Sequence, residues 1–181
     1  MNRLSRKATW LYHFLDNPEV IRPWLHYRMP TFPFNDEELA TMVEYFQYHD
    51  KAPVEFSAAI PDPTMEELES GKTIFTAFQC VKCHKSDPDP MLSASFLAPD
   101  LVMAKDRLRP EWVKDWLRDP QAIQEGTMMP TFFSDGETPL PDMMGGDVEA
   151  QITAIRDYLW QFDKEEARKL TEGTAAPPAA A

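Results

Sequence analysis

A chain of 181 residues with 43% hydrophobic side chains can bury one sizeable core or two small ones. Its formal net charge of -12 and isoelectric point of about 4.7 argue against a nucleic-acid or anionic-membrane ligand, and suit either docking onto a basic partner or plain solubility. No run of ~20 apolar residues is present, so a soluble chain with no membrane span is expected.

In chain order, Trp10, Leu11, Phe14 and Leu15 fall at helical spacing, which predicts a helix from Arg6 to Leu15. Asp16-Asn17-Pro18 ends it, because the residue before proline disfavours the helical region. A proline-interrupted loop follows, through Arg22-Pro23-Trp24 to Arg28-Met29-Pro30-Thr31-Phe32-Pro33. Asn35, with Glu38 three residues on, forms a capping-box pattern ahead of a helix lined by Leu39, Met42, Val43 and Phe46. Residues 1–50 thus form one unit, and residues 51–63, with Pro53, Pro61 and Pro63, read as a linker.

Thr64 and Glu67 make a second capping box. Met65, Leu68, Ile74, Phe75 and Phe78 then form the apolar stripe of a helix in which Gly71 fits a close helix–helix contact. That helix runs into Cys80-Val81-Lys82-Cys83-His84. Two cysteines two residues apart, followed at once by histidine, is the attachment motif of c-type haem. Each thiol can form a thioether with a haem vinyl group, and His84 can offer an imidazole nitrogen to the iron. The rival readings, a redox dithiol or a zinc site, are weaker. A thioredoxin-like pair wants a βαβ setting, and a structural zinc site wants four ligands, whereas His13, His26 and His49 lie far upstream. With both cysteines engaged by haem, no disulfide is expected. Attachment of this kind implies a periplasmic or otherwise extracytoplasmic location. The start, Met1 to Lys7, shows no apolar signal region, so any export signal is expected to have been removed or to belong to a longer precursor.

Downstream, Leu97-Ala98-Pro99-Asp100-Leu101 closes an irregular stretch. Pro110 suits the first turn of a short helix with Trp112, Val113, Trp116 and Leu117 inward, ended by Asp119-Pro120. A long loop carries Gly126-Thr127-Met128-Met129-Pro130-Thr131-Phe132. Asp147 caps a last helix with Ile152, Ile155, Leu159 and Phe162 on its apolar face. Residues 164–181 read as a flexible tail. No segment alternates with period two, so the fold class is all-α.

The chain also repeats itself. Trp10, Phe14-Leu15, Asn17-Pro18 and Met29-Pro30-Thr31-Phe32 match Trp112, Trp116-Leu117, Asp119-Pro120 and Met129-Pro130-Thr131-Phe132. Only the second copy is preceded by the thiol motif. The first is either a relic kept for packing or a half-domain completed by a cytochrome subunit or an N-terminal segment. A second haem, ligated by Met29, would have to come from outside this chain.

These residues resemble a class I c-type cytochrome domain over 64–163, preceded by a partial, motif-less copy. The resemblance implies a cytochrome c-like helical haem domain with one covalent haem c. It implies His84 as proximal ligand, the Pro99 carbonyl as acceptor for its other ring N–H, and Met129, which stands directly before proline, as distal ligand. Met128 is the alternative, while Met143 and Met144 fall in an apparent insertion. Trp112 and Trp116 wall the pocket or simply pack. Arg107 and Arg109 pair with haem propionates or remain solvated, and Lys82 and Lys85 mark a local basic patch. A His/Met pair leaves no open coordination position, which favours electron transfer, as a carrier or a haem subunit of a larger redox complex, over catalysis. A subunit of a multihaem, peroxidase-like oxidoreductase is the second reading, but it needs another haem with an open site. A four-helix-bundle gas sensor would carry its motif near the C-terminus, whereas nearly a hundred residues follow His84 here. A fourth reading makes the first copy a docking module of an interaction subunit.

Overall fold

The computed structural model describes residues 7–22, 24–25, 27–49, 60, 62–86 and 97–173. Among these the fold is all-α, with no β-strand beyond an isolated bridge position at Leu108. No helix among them is long and apolar enough to cross a membrane. Arg6, most of the 51–63 linker and the end of the chain from 174 lie outside the described residues.

The first unit is a helical hairpin. Helix α1 (Ala8–Asp16) ends at Asn17, whose N–H donates to the His13 carbonyl just before Pro18. Helix α2 (Asp36–His49) starts on a reciprocal cap: the Glu38 N–H donates to Asn35 Oδ1 at 3.0 Å, and the Asn35 N–H to Glu38 Oε2 at 2.9 Å. Leu11, Leu15, Leu39 and Val43 bury one another between the two helices.

The second unit holds the main core. Helix α3 (Met65–Ala77) has the Thr64–Glu67 capping box. After a 3-10 turn at Cys80–Lys82, a second turn at Leu101–Met103 leads into α4 (Ala104–Arg107). Helix α5 (Pro110–Arg118) takes its proline in the first turn. It gives way at Asp119 to α6 (Pro120–Ile123), and α7 (Val148–Gln161) is capped by Asp147. Helices α3 and α7 make the dominant contact, and α4 and α5 also pack on α7. Ile74, Phe75, Ile152 and Ile155 are fully buried there, each worth roughly 1.5–3 kcal/mol relative to exposure. Gly71 makes the crossing possible. A Cβ at that position would lie 2.2 Å from the Ala154 carbonyl oxygen.

Residues 164–173 are not a loose tail: they form α8 (Lys164–Gly173). Asp163 accepts from the Glu166 N–H, Ala167 is buried and Leu170 packs on the core. Glu166 accepts from Lys72 at 2.7 Å and from the Tyr158 hydroxyl at 2.8 Å. The dense charge of the segment hid an apolar edge only two residues wide. The two units touch where the Lys7 N–H donates to the Arg107 carbonyl and the Arg107 guanidinium lies 5.2 Å from the Trp10 ring centroid.

Candidate functional site

The end of α3 shapes the motif. Gln79 adopts a left-handed conformation (φ 57°, ψ 36°), which costs a non-glycine residue roughly 1 kcal/mol and turns the chain sharply. The Gln79 carbonyl then accepts from the Lys82 N–H, and the Cys80 carbonyl accepts from the N–H groups of Cys83 and His84. Val81 is buried and anchors the turn, while Cys80 is half-buried, Cys83 exposed, and both thiols are free.

His84 Nδ1 lies 2.7 Å from the Pro99 carbonyl oxygen. A carbonyl only accepts, so Nδ1 carries the proton and Nε2 is left with its lone pair. Burial pushes the His84 pKa down, against the opposing effects of the Pro99 carbonyl and Asp100, which favours the neutral ring. The two segments are laced together elsewhere too. The Ala98 N–H donates to the Cys83 carbonyl at 2.9 Å, and the Ser86 hydroxyl to Asp100 Oδ1 at 2.8 Å.

Met129 sits on the loop after α6, half-buried against the core, whereas Met128 is 76% exposed. The Trp116 indole N–H donates to Met129 Sδ at 2.8 Å. Gln121 holds the loop through Nε2 to the carbonyls of Thr127 (2.7 Å) and Met129 (3.3 Å), and through Oε1 from the Gly126 N–H. Phe132, three residues past Met129, stacks on Phe78, two residues before Cys80, with centroids 4.3 Å apart. That stack brings the methionine loop to the thiol-bearing end of α3.

Trp112 stacks on Trp116 with centroids 5.1 Å apart, and its buried Nε1 has no hydrogen-bond partner among the described residues. Arg107 reaches Trp10, as above. Burial lowers the Arg109 pKa, with Asp115 and Glu111 opposing. Lys82 is exposed, Lys85 half-buried, and Met143 and Met144 line a turn before α7. Met29 is 38% exposed in a loop without regular structure. Gln79, Gln121 and the Trp116 donor escape sequence reasoning, because none belongs to a spaced motif.

Chemically, burial pushes the Cys80 thiol up to about 12, away from the acidic thiolate on which a redox dithiol depends. Among the described residues no group of three or more His, Cys, Asp or Glu is placed to hold a metal ion. The thiol motif and the methionine loop offer two thiols and one imidazole Nε2 on the first, and one thioether on the second.

No family model matches this chain, and no solved structure matches it. It is 27% identical over 105 residues to the cytochrome c oxidase subunit 2 of Alkalihalophilus pseudofirmus. That alignment covers 55% of this chain and 28% of that protein, so the chain spans under a third of the relative's length.

Proposed function

We propose that this chain is an electron-transfer protein carrying one c-type haem, thioether-bound to Cys80 and Cys83, with His84 and Met129 as axial ligands. It works outside the cytoplasm, as a carrier or as a haem subunit of a larger redox complex. The observation that carries this reading is the 2.7 Å contact from His84 Nδ1 to the Pro99 carbonyl, beside two free thiols. It fixes the tautomer that leaves Nε2 to ligate a metal. The similarity to a cytochrome oxidase subunit points the same way. The residues present also fit the group. The buried Trp112 N–H is a donor still wanting an acceptor, which a haem carboxylate is.

When bound, the haem supplies reversible one-electron chemistry at iron. The chain's own residues do the rest. Cys80 and Cys83 tether it, and the Pro99 carbonyl raises the basicity of His84. The Gln121 clamp and the Trp116 N–H hold the Met129 thioether in place. With haem held by His84 and Met129, the imidazole and thioether together would favour a higher reduction potential than two nitrogen ligands, which suits electron transfer.

Expression alongside a c-haem maturation system should give a chain that stains for haem on a denaturing gel. Cys80→Ser with Cys83→Ser should abolish the stain, and its survival would overturn the assignment. Met129→Ala should remove the near-infrared sulfur-to-iron band of the oxidised protein, and Met128→Ala should keep it. The reverse pattern moves the ligand by one residue.

A further inference from the structure

The two copies share geometry as well as sequence. Trp10 stacks on Phe14 with centroids 4.7 Å apart and planes at 17°, and Trp112 stacks on Trp116 with planes also at 17°. Asn17 (φ -138°, ψ 89°) and Asp119 (φ -151°, ψ 88°) stop the two helices in one conformation. Each Met-Pro-Thr-Phe loop leads into an Asx-capped helix of 14 residues, α2 or α7.

In the second copy α3 covers α7, and Phe78 at its end stacks on Phe132. The first copy leaves the matching surface in water. Phe46 is 39% exposed, Phe32 46% and Tyr45 59%. Among the described residues, every exposed large apolar side chain lies in this unit except Met65 and Met128. Apolar area of this kind gains roughly 25 cal/mol per Å² when covered. The charge on α2 narrows the occupant: Asp36, Glu37, Glu38 and Glu44 lie along it, with no Lys or Arg. A complementary partner is basic around an apolar stripe.

We infer that α1, α2 and the loop from Met29 to Phe34 form a docking face for a helix of a partner subunit that ends in a thiol-bound c-type haem, and that Met29 supplies that haem's thioether ligand. This rests on the role given to Met129 above. The partner's helix takes the place that α3 holds in the second copy, and its last aromatic residue takes the place of Phe78 against Phe32. Phe14 stands where Trp116 stands, so the second thioether lacks an indole donor from that position.

The test uses the haem-loaded full chain and a ferric haem peptide. The peptide comprises residues 64–86 of this sequence with Glu66→Lys and Glu69→Lys, which give it the basic character that the face calls for, and carries covalent haem with histidine on one side and water on the other. On titration, the near-infrared sulfur-to-iron band should grow beyond that of the resident haem and saturate at one peptide per chain. Met29→Leu keeps the apolar surface and should still bind the peptide, but without new band. Phe46→Asp should weaken binding at least tenfold. In Met129→Ala the resident band should vanish while the titration still produces one. If Met129→Ala keeps its band, the parent reading has failed, whatever the titration shows. No growth in the wild type means that the face is covered within this chain, and growth untouched by Met29→Leu means that the thioether comes from elsewhere. Either result overturns the inference.

Discussion

Gly71→Ala tests the helix crossing on which the site depends. An added Cβ would meet the Ala154 carbonyl oxygen at 2.2 Å, its carbon at 2.7 Å and Tyr158 Cβ at 3.0 Å. The first two are backbone atoms, so no rotamer change relieves them. Ordinary contact begins at 3.4 Å, which requires α3 and α7 to part by roughly 1 Å. A gap of that size forfeits up to about half of the dispersion energy between facing atoms. Here those atoms belong to Ile74, Phe75, Ile152 and Ile155, all buried at the crossing. Overpacking costs about 1–3 kcal/mol, and a clash with rigid backbone belongs at the top of that range. Against it stands the ~1 kcal/mol that alanine gains over glycine inside a helix. The net loss is about 2 kcal/mol, or a fall of about 10 °C in the midpoint of thermal unfolding. Urea denaturation with an unchanged m-value reads it directly. A neutral or stabilised Gly71→Ala would refute the close crossing, because only the propensity gain would then remain.

Two further outcomes follow from charge. Lys72 and the Tyr158 hydroxyl hold the Glu166 carboxyl below its ordinary range, so its contribution to stability is complete above the unfolded value of ~4.3 and is lost as pH falls through the folded one. Glu166→Gln should therefore flatten the acid limb of a stability–pH curve, by about 1 kcal/mol or less because Lys72 is 40% exposed; identical acid limbs would discard the linkage. The net charge of -12 predicts a basic redox partner whose association slows with salt, since screening shortens to ~8 Å at physiological ionic strength; a rate indifferent to salt would indicate an apolar docking site instead.

Local signals were legible in the sequence because their physics is local. The Asn35 and Thr64 caps, the Asx-Pro stops and Pro110 each act within four residues, and the structure shows each where the pattern put it. Gly71 was legible too, as a glycine with no turn to explain it. The contact between His84 and Pro99 was anticipated only through the resemblance to a cytochrome domain, since no spacing rule links the two residues. Helix α8 was missed because composition outweighed a two-residue apolar edge. Leu39 was expected only as part of the apolar lining of its helix, with no partner assigned to it. It is 1% exposed, because α1 and α2 bury part of their own apolar surface. The supports of Met129 were illegible for a different reason. Trp116 lies 13 residues from it and Phe78 lies on another helix, and no spacing rule links such positions.

Those supports differ between the two near-identical loops. After Asp119-Pro120 comes Gln121, whose amide donates to two loop carbonyls and accepts from a loop N–H. After Asn17-Pro18 comes Glu19, and an ionised carboxylate only accepts. It cannot hold loop carbonyls, and it receives the Trp10 indole N–H at 2.8 Å instead. The same substitution satisfies in the first copy the indole whose counterpart, Trp112, remains a buried donor in the second. One glutamine-to-glutamate difference thus separates a methionine loop held by a side-chain amide from one in which the carboxylate is turned to the indole instead. It also separates an indole that donates to a carboxylate from one with no acceptor among the described residues. If Met29 serves a haem, that haem's carboxylates must find their donors on the partner that brings it.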